Sequence, residues 1–456
     1  MSKVKKSIQL ADHFDYKTLL RFTVPSILMM VISSVYSIVD GLFVSNFAGS
    51  DGFAAVNLIM PIAMMISCVG FMAGAGGSAL ISKTLGEKRE DEAREQFSLV
   101  VYLIIAFSVI IGISVFSFIP QISKMMGAEG GIYDNCVIYG RILIAALPAF
   151  MLQILFQNFL VVAERPQMGM VIAISSGVTN IIFDALFVAV FRWGVAGAAI
   201  ATVMGQMIGG IVPLGYFVMK KNKLLWFVKV KWNGSTIKKV VTNGFSAFIS
   251  NASASLIGII FNLRLMALIG SDGVVAYGVV MYVNYIVSGV FMGYSTGIAP
   301  VFSYNLGAKN YDEIKGVFKK SISVISVFSV ILSVLIMIFA RVLAAIFVSY
   351  DDGLMSLTTE AIRLYDLSFL VCGFNYFAAS FFAALNNGAV SSILSLTRTL
   401  LFQMAMVFVL PMLIGNNGIW LSVFAAEILA VVVAFYFIVK SRKKLWPLEN
   451  IAGTRK

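Results

Sequence analysis

Apolar residues run through this chain in blocks of twenty or more, each closed by glycine, proline or charge, and twelve such blocks follow one another. They cover residues 22–47, 53–83, 97–119, 137–162, 168–190, 195–219, 241–269, 274–304, 317–348, 361–385, 390–413 and 418–440. A helix rises about 1.5 Å per residue, so roughly twenty apolar residues cross the ~30 Å hydrocarbon core of a bilayer. Each block is therefore predicted to be a spanning helix, and the chain is read as an all-α polytopic membrane protein.

The polar stretches between blocks repeat. GSDGFAAVN, FM and LGEKREDEAREQF lie between residues 49 and 97, while GSDGVVAYG, FM and LGAKNYDEIKGVF lie between 270 and 318, about 221 positions later. A shift near 224 aligns Gly194 and Val195 with Gly418 and Ile419. Each half holds an even number of spans, so the repeat is parallel. The expected architecture is twelve transmembrane helices in two six-helix lobes related by a pseudo-two-fold axis along the membrane normal. The expected divisions are a tail at 1–21, a first lobe at 22–219, a linker at 220–240, a second lobe at 241–440 and a tail at 441–456.

Composition agrees, with 59% hydrophobic and 12% charged residues against roughly a quarter charged in soluble domains. The net charge of +12 sits in clusters: Lys3, Lys5, Lys6, Lys17 and Arg21; Lys220, Lys221, Lys223, Lys229, Lys231, Lys238 and Lys239; Lys440, Arg442, Lys443 and Lys444. All three clusters fall on one side of a twelve-span chain, and the positive-inside rule makes that side, with both termini, cytoplasmic in a multi-pass protein of the cell membrane. No basic stripe interleaved with aromatics appears, so no nucleic-acid partner is expected. Cys68, Cys136 and Cys372 form no CxxC pair, and the only histidine, His13, lies in the polar tail. HExxH, GxSxG and Walker A patterns are missing, which excludes the corresponding enzyme chemistries; no cofactor is expected. The first apolar run is longer than a signal-peptide core and has no small-residue cleavage site after it, so it is expected to stay as an anchor.

The informative residue is Asp184, a carboxylate inside the fifth block, with Asn180 one helical turn before it on the same face. An ionisable group at membrane depth costs about 3 kcal/mol on insertion scales, so it faces a bundle interior and marks an ion or substrate path. The second lobe does not repeat it. Asp40 aligns with Phe261, and Asn180, Asp184 and Thr202 align with Met404, Phe408 and Ala426. Depth counted from the span ends puts Asp40, Asp184, Thr202 and Tyr139 in the same leaflet half, with Tyr36 one turn from Asp40 and Ala198 one turn from Thr202. Two carboxylates among amide, hydroxyl and carbonyl oxygens suit a proton or a small hard cation. Taken singly, Asn180, Thr202 and Tyr139 also read as interhelical hydrogen-bond glue. Gln153, Gln157, Asn158, Gln206, Asn251, Asn284 and Asn375 either line a cavity or bridge helices, and Arg264, Arg398 and Glu427 need partners that the sequence does not name.

Three stretches carry a resemblance: VDGLFVSNFAGSDGFAAVNLIMPI, the GxGGSALISKTLGEK segment ending the second span, and TNIIFDALFVAVFRWGVAGAAIAT across the fifth and sixth. With them the chain resembles the multidrug and toxic compound extrusion (MATE) transporters, near the MepA-like bacterial branch, from Tyr36 to Lys440. The resemblance implies a two-lobed antiporter that rocks between two open states, exporting small cationic, often aromatic, drugs in exchange for protons or sodium ions. It also implies a first-lobe cation site on Asp40, Asn180, Asp184, Thr202 and the Ala198 carbonyl, with Tyr139 in its hydrogen-bond network and Na⁺, if that is the ion, held by Asp40, Asn180, Asp184 and Thr202. A second-lobe carboxylate pair of another branch finds no match, since Asn251, Ser255 and Asn375 stand there, and Glu164-Arg165-Pro166 departs from the usual turn. The partners expected are drug-like cations and the lipid bilayer, and the chain is expected to act as a monomer. The rival reading is a flippase for lipid-linked oligosaccharides, which shares the architecture and calls for cavity arginines to grip pyrophosphate.

Overall fold

The structure, a computed structural model, describes residues 8–219 and 224–445. Lys3, Lys5, Lys6, Lys220, Lys221 and Lys223 of the basic clusters, and the tail beyond 445, lie outside the described residues. The first half runs α1 (Tyr16–Phe47), α2 (Gly49–Gly86), α3 (Glu90–Met125), α4 (Gly130–Ala145), α5 (Leu147–Val162), α6 (Pro166–Asp184), a π-helical turn (Ala185–Val190) and α7 (Gly194–Val218). The second runs α8 (Gly234–Leu268), α9 (Ser271–Gly307), α10 (Tyr311–Val348), α11 (Asp352–Asp366), α12 (Phe369–Ala384), α13 (Gly388–Leu396), a π-helical turn (Thr397–Phe402), α14 (Gln403–Ile414) and α15 (Asn417–Leu445). Among the described residues ten helices are long and apolar enough to span, and two bent pairs, α4 with α5 at 53° and α11 with α12 at 46°, bring the crossings to twelve when each pair counts as one span.

Two spans expected to be straight are therefore broken. In the first lobe Pro148 explains the bend, because its ring lacks an N–H and crowds the carbonyl of Ile144 one turn earlier. The second-lobe bend has no proline; there Ser368 and Val371 donate to carbonyls three residues back, tightening the chain between the two helices. The tenth crossing also starts earlier than its apolar block. Asp351 caps α11 by accepting the Leu354 N–H at 2.9 Å, and this pulls the charged stretch 352–360 into the helix.

Residues 8–15 are packed, with Leu10 and Phe14 fully buried in the core of the second lobe. The Leu10 N–H donates to Glu164 Oε1 in the α5–α6 turn at 2.7 Å, while the Phe14 N–H donates to Glu313 at the start of α10 at 2.8 Å. His13 pairs with the same Glu313, and the Lys320 ammonium donates to the Phe14 carbonyl. One short segment thus touches both lobes before Asp15 opens α1 by accepting the Thr18 N–H at 2.7 Å. Those bonds to Thr18 hold the exposed Asp15 carboxyl below the usual carboxylate range.

The lobes meet where α2 lies against α8 and α9, and α1 against α9. On the side carrying the termini the backbones touch. A Cβ added at Gly76 would overlap the Val240 carbonyl, and one at Gly244 the Met72 carbonyl; one at Gly86 would overlap Tyr304 O and one at Gly307 would overlap Lys83 O. Toward the other side, Gly258 of α8 and Gly278 of α9 have no such neighbour within 4 Å. The backbone-to-backbone contacts between the lobes at Gly76, Gly244, Gly86 and Gly307 thus lie on the terminal side.

Candidate functional site

Close approach of three first-lobe helices builds the site. A Cβ at Gly177 would stand 3.0 Å from the Tyr36 ring, and one at Gly205 would stand 3.0 Å from the Ser176 carbonyl and 3.3 Å from Asn180 Cβ, so α1, α6 and α7 meet at one level only because these two positions carry no side chain. Asp40 on α1, Asn180 and Asp184 on α6 and Thr202 on α7 then converge, with Tyr139 reaching in from α4. Thr202 Oγ1 donates to Asp40 Oδ1 at 3.4 Å. The α6 helix turns π-helical directly after Asp184, a local widening often found at functional sites.

The cluster is buried and short of positive charge. Asp40 is 6% exposed, Asn180 2%, and Asp184, Tyr139 and Ala198 are wholly buried. Asp184 and Asn180 stand close enough to Asp40 to interact with it, yet both oxygens of Asp184, both polar atoms of Asn180 and the Tyr139 hydroxyl are buried without a hydrogen-bond partner. Among the described residues no Lys or Arg faces either carboxylate. Two adjoining carboxylates that are both ionised repel each other, and unsatisfied hard oxygens surround them. Such an arrangement has the donors to accept a cation, whether a proton on a carboxyl oxygen or a small metal ion held by carboxylate, amide and hydroxyl oxygens. The donor set fits Na⁺ in type; among the described residues no group of three or more His, Cys, Asp or Glu gathers as a multivalent metal site would require.

Asp40, Asn180 and Thr202 also line a cleft of about 700 Å³ within the first lobe. Tyr36, Ser37, Ser176 and Gln206 extend its polar wall, and Met60, Met64, Leu143 and Phe150 form the apolar one. Gln153 and Gln157 line a smaller neighbouring cavity of about 230 Å³. The remaining polar positions are engaged elsewhere. Asn158 donates to Ile154 O and Asn251 to Ala247 O along their own helices, and Asn284 accepts from Ser288. Asn375 donates to Glu427 Oε2 at 2.6 Å, and Arg398 is the ionic partner of Glu427. Arg264 lies over the ring of Phe408 at 4.9 Å. The methionines and Phe150 of the apolar wall had no sequence signal to separate them from ordinary span residues. Asp366, buried at the end of α11, is a carboxylate inside the block at 361–385 that sequence reasoning does not single out.

Comparison with known proteins bears on the whole chain. The MatE family model matches residues 25–186 and 246–409. The multidrug export protein MepA of Staphylococcus haemolyticus (strain JCSC1435) is 24% identical over 431 residues, covering 94% of each chain. MepA of Staphylococcus aureus (strain MSSA476) is 23% identical over 94% of this chain and 95% of its own. Among solved structures, an outward-facing multidrug resistance MATE family transporter of the MOP superfamily superposes with a TM-score of 0.91 at 21% identity, over 98% of this chain and 100% of that one. A MOP superfamily transporter from Pyrococcus furiosus Vc1 (DSM3638) superposes with a TM-score of 0.89 at 21% identity, over 98% and 99%.

Proposed function

Because the chain belongs to the MatE family of membrane transporters, we propose that it is a secondary active multidrug efflux antiporter, exporting cationic organic compounds in exchange for H⁺ or Na⁺ by alternating access. The observation that carries this reading is the Asp40–Asp184 pair, buried without a counter-cation, with Asp40 on the wall of a cleft. A site of that kind binds its cation in one lobe conformation better than in the other, and only such differential affinity can drive a conformational change. Drug and coupling ion then act on the same lobe: the ion on the polar wall, the drug against the methionines and Phe150. The staphylococcal relatives' name, multidrug export protein, supports the substrate class. The lipid-linked oligosaccharide alternative loses ground, since the cleft lining holds neither Arg nor Lys.

The positive clusters support a cytoplasmic terminal side in the cell membrane; on this reading the closely packed side faces the cytoplasm, and the transport unit is one chain. The test is drug accumulation in cells expressing the wild type or Asp184→Asn, with and without an imposed sodium gradient. Efflux that persists at full rate in the variant overturns the assignment, and the gradient that wild-type efflux follows identifies the ion.

A further inference from the structure

The second lobe has no counterpart of the Asp40–Asp184 pair, but it buries a carboxylate of its own. Asp366 is wholly buried at the last residue of α11, where the crossing bends by 46° into α12. It comes fifteen residues into that helix, and its partner Ser333 lies near the middle of the 38-residue α10. Ser333 Oγ donates to Asp366 Oδ2 at 2.5 Å, and Oδ1 has no partner. One turn from Ser333 on the same face of α10, the buried Ser329 hydroxyl is also unpartnered. Position 366 is no relic of the repeat, since α4 reaches its own bend at Ala145.

We infer that Asp366 is a protonation site of the second lobe, holding its proton between α10 and the α11–α12 bend, separate from the first-lobe carboxylate pair. A buried carboxylate keeps its charge when a cation or several N–H donors compensate it, and one hydroxyl does not suffice. The groups around it supply nothing more. On the helices packed against α11, Tyr277 of α9, Cys372 and Tyr376 of α12 and Glu427 of α15 gather about the adjoining Tyr365. Three of these are phenols or a thiol without positive charge, and Glu427 is taken up by Arg398. The α10 face offers hydroxyls, and the nearest cations along the chain, Arg363 on α11 and Arg341 on α10, are exposed. The neutral acid satisfies the pocket as it stands, whereas the ion requires water or a cation to enter at the bend. Release of the proton is thereby tied to movement of α12 against α10. This inference does not rest on the export reading, because proton occupancy at Asp366 is a property of the resting protein.

Infrared titration of the full-length protein in liposomes tests it. In an Asp40→Asn/Asp184→Asn background at neutral pH, a protonated-carboxyl C=O band is expected, and adding Asp366→Asn is expected to remove it. Ser333→Ala, which keeps the acid but deletes its hydrogen bond, is expected to shift the band to higher frequency; that shift decides the matter if Asp366→Asn does not fold. Absence of the band, a band indifferent to both substitutions, or a band erased when choline is replaced by sodium overturns the inference.

Discussion

Arg398 grips Glu427 inside the second lobe, with Nε and Nη2 each 2.8 Å from Oε1. Asn375 donates to the other oxygen at 2.6 Å, and the Tyr376 ring lies 3.8 Å from the guanidinium carbon. Every strong group in this cluster has a partner, unlike Asp184, both of whose oxygens lack one. The pair therefore reads as a structural lock between the π-helical turn after α13, the α12 helix and α15.

If so, removing one partner is costly. Glu427→Ala or Arg398→Ala leaves a buried charge uncompensated, a loss of about 3–5 kcal/mol, while the apolar double variant Arg398→Met/Glu427→Leu recovers most of it. Thermal unfolding of the detergent-solubilised protein measures both. Drug export by the double variant is expected to survive, and its complete loss despite normal folding would place the pair in the transport machinery instead.

Asp40→Asn and Asp184→Asn are each expected to abolish uphill export while leaving the amount of membrane-inserted protein unchanged, since each amide preserves side-chain volume. Thr202→Val removes the hydroxyl that donates to Asp40 and is expected to weaken ion dependence without abolishing export. Transport assays across a range of ion concentrations separate the two patterns. An Asp184→Asn protein still pumping against a gradient contradicts the site.

If sodium is the ion, it binds the folded protein and raises its stability by about 2.7 kcal/mol at a hundredfold excess over Kd. The rise is expected to vanish in Asp40→Asn. A sodium-independent melting temperature in the wild type, combined with pH-driven efflux, assigns the role to the proton.

The segment at residues 8–15 gives a pH dependence with a definite sign. Burial pushes the Glu164 carboxyl up, partly opposed by the Leu10 N–H that it accepts. A carboxyl raised in the docked state favours docking below its undocked value near 4.5, and that contribution is lost as pH rises through the docked value. Spectroscopic distances between labels on α5 and the start of α10 are expected to lengthen with rising pH, and Glu164→Gln is expected to flatten the response. A profile identical in the variant disproves the linkage.

Much of this molecule is legible in its sequence because the bilayer leaves the backbone few options. Spanning segments must satisfy their own N–H and C=O groups, so block length alone gives the twelve crossings. Counting depth along those blocks also brings Asp40, Asp184, Thr202 and Tyr139 to one level, and the structure has them, with Asn180, close together. Hydropathy does not show where a helix begins. The cap at Asp351 moves the start of the tenth crossing nine residues ahead of its apolar block, so Asp366 stands fifteen residues into its helix. Nor can local pattern reveal that Leu10 finds Glu164 or that Phe14 finds Glu313, because those partners are set by tertiary packing across 154 and 299 positions.

Lys83 and Gly86 on α2 correspond through the 221-residue repeat to Tyr304 and Gly307 on α9, and the contacts cross over: Gly86 meets Tyr304, and Gly307 meets Lys83. Such reciprocity is the mark of an isologous interface, the kind two identical subunits make about a two-fold axis. Here one polypeptide makes it with itself. A single six-helix half carrying this glycine would already possess the complementary surface for its own copy, so the closed side of the transporter has the geometry of a homodimer seam that a covalent linker now holds in register.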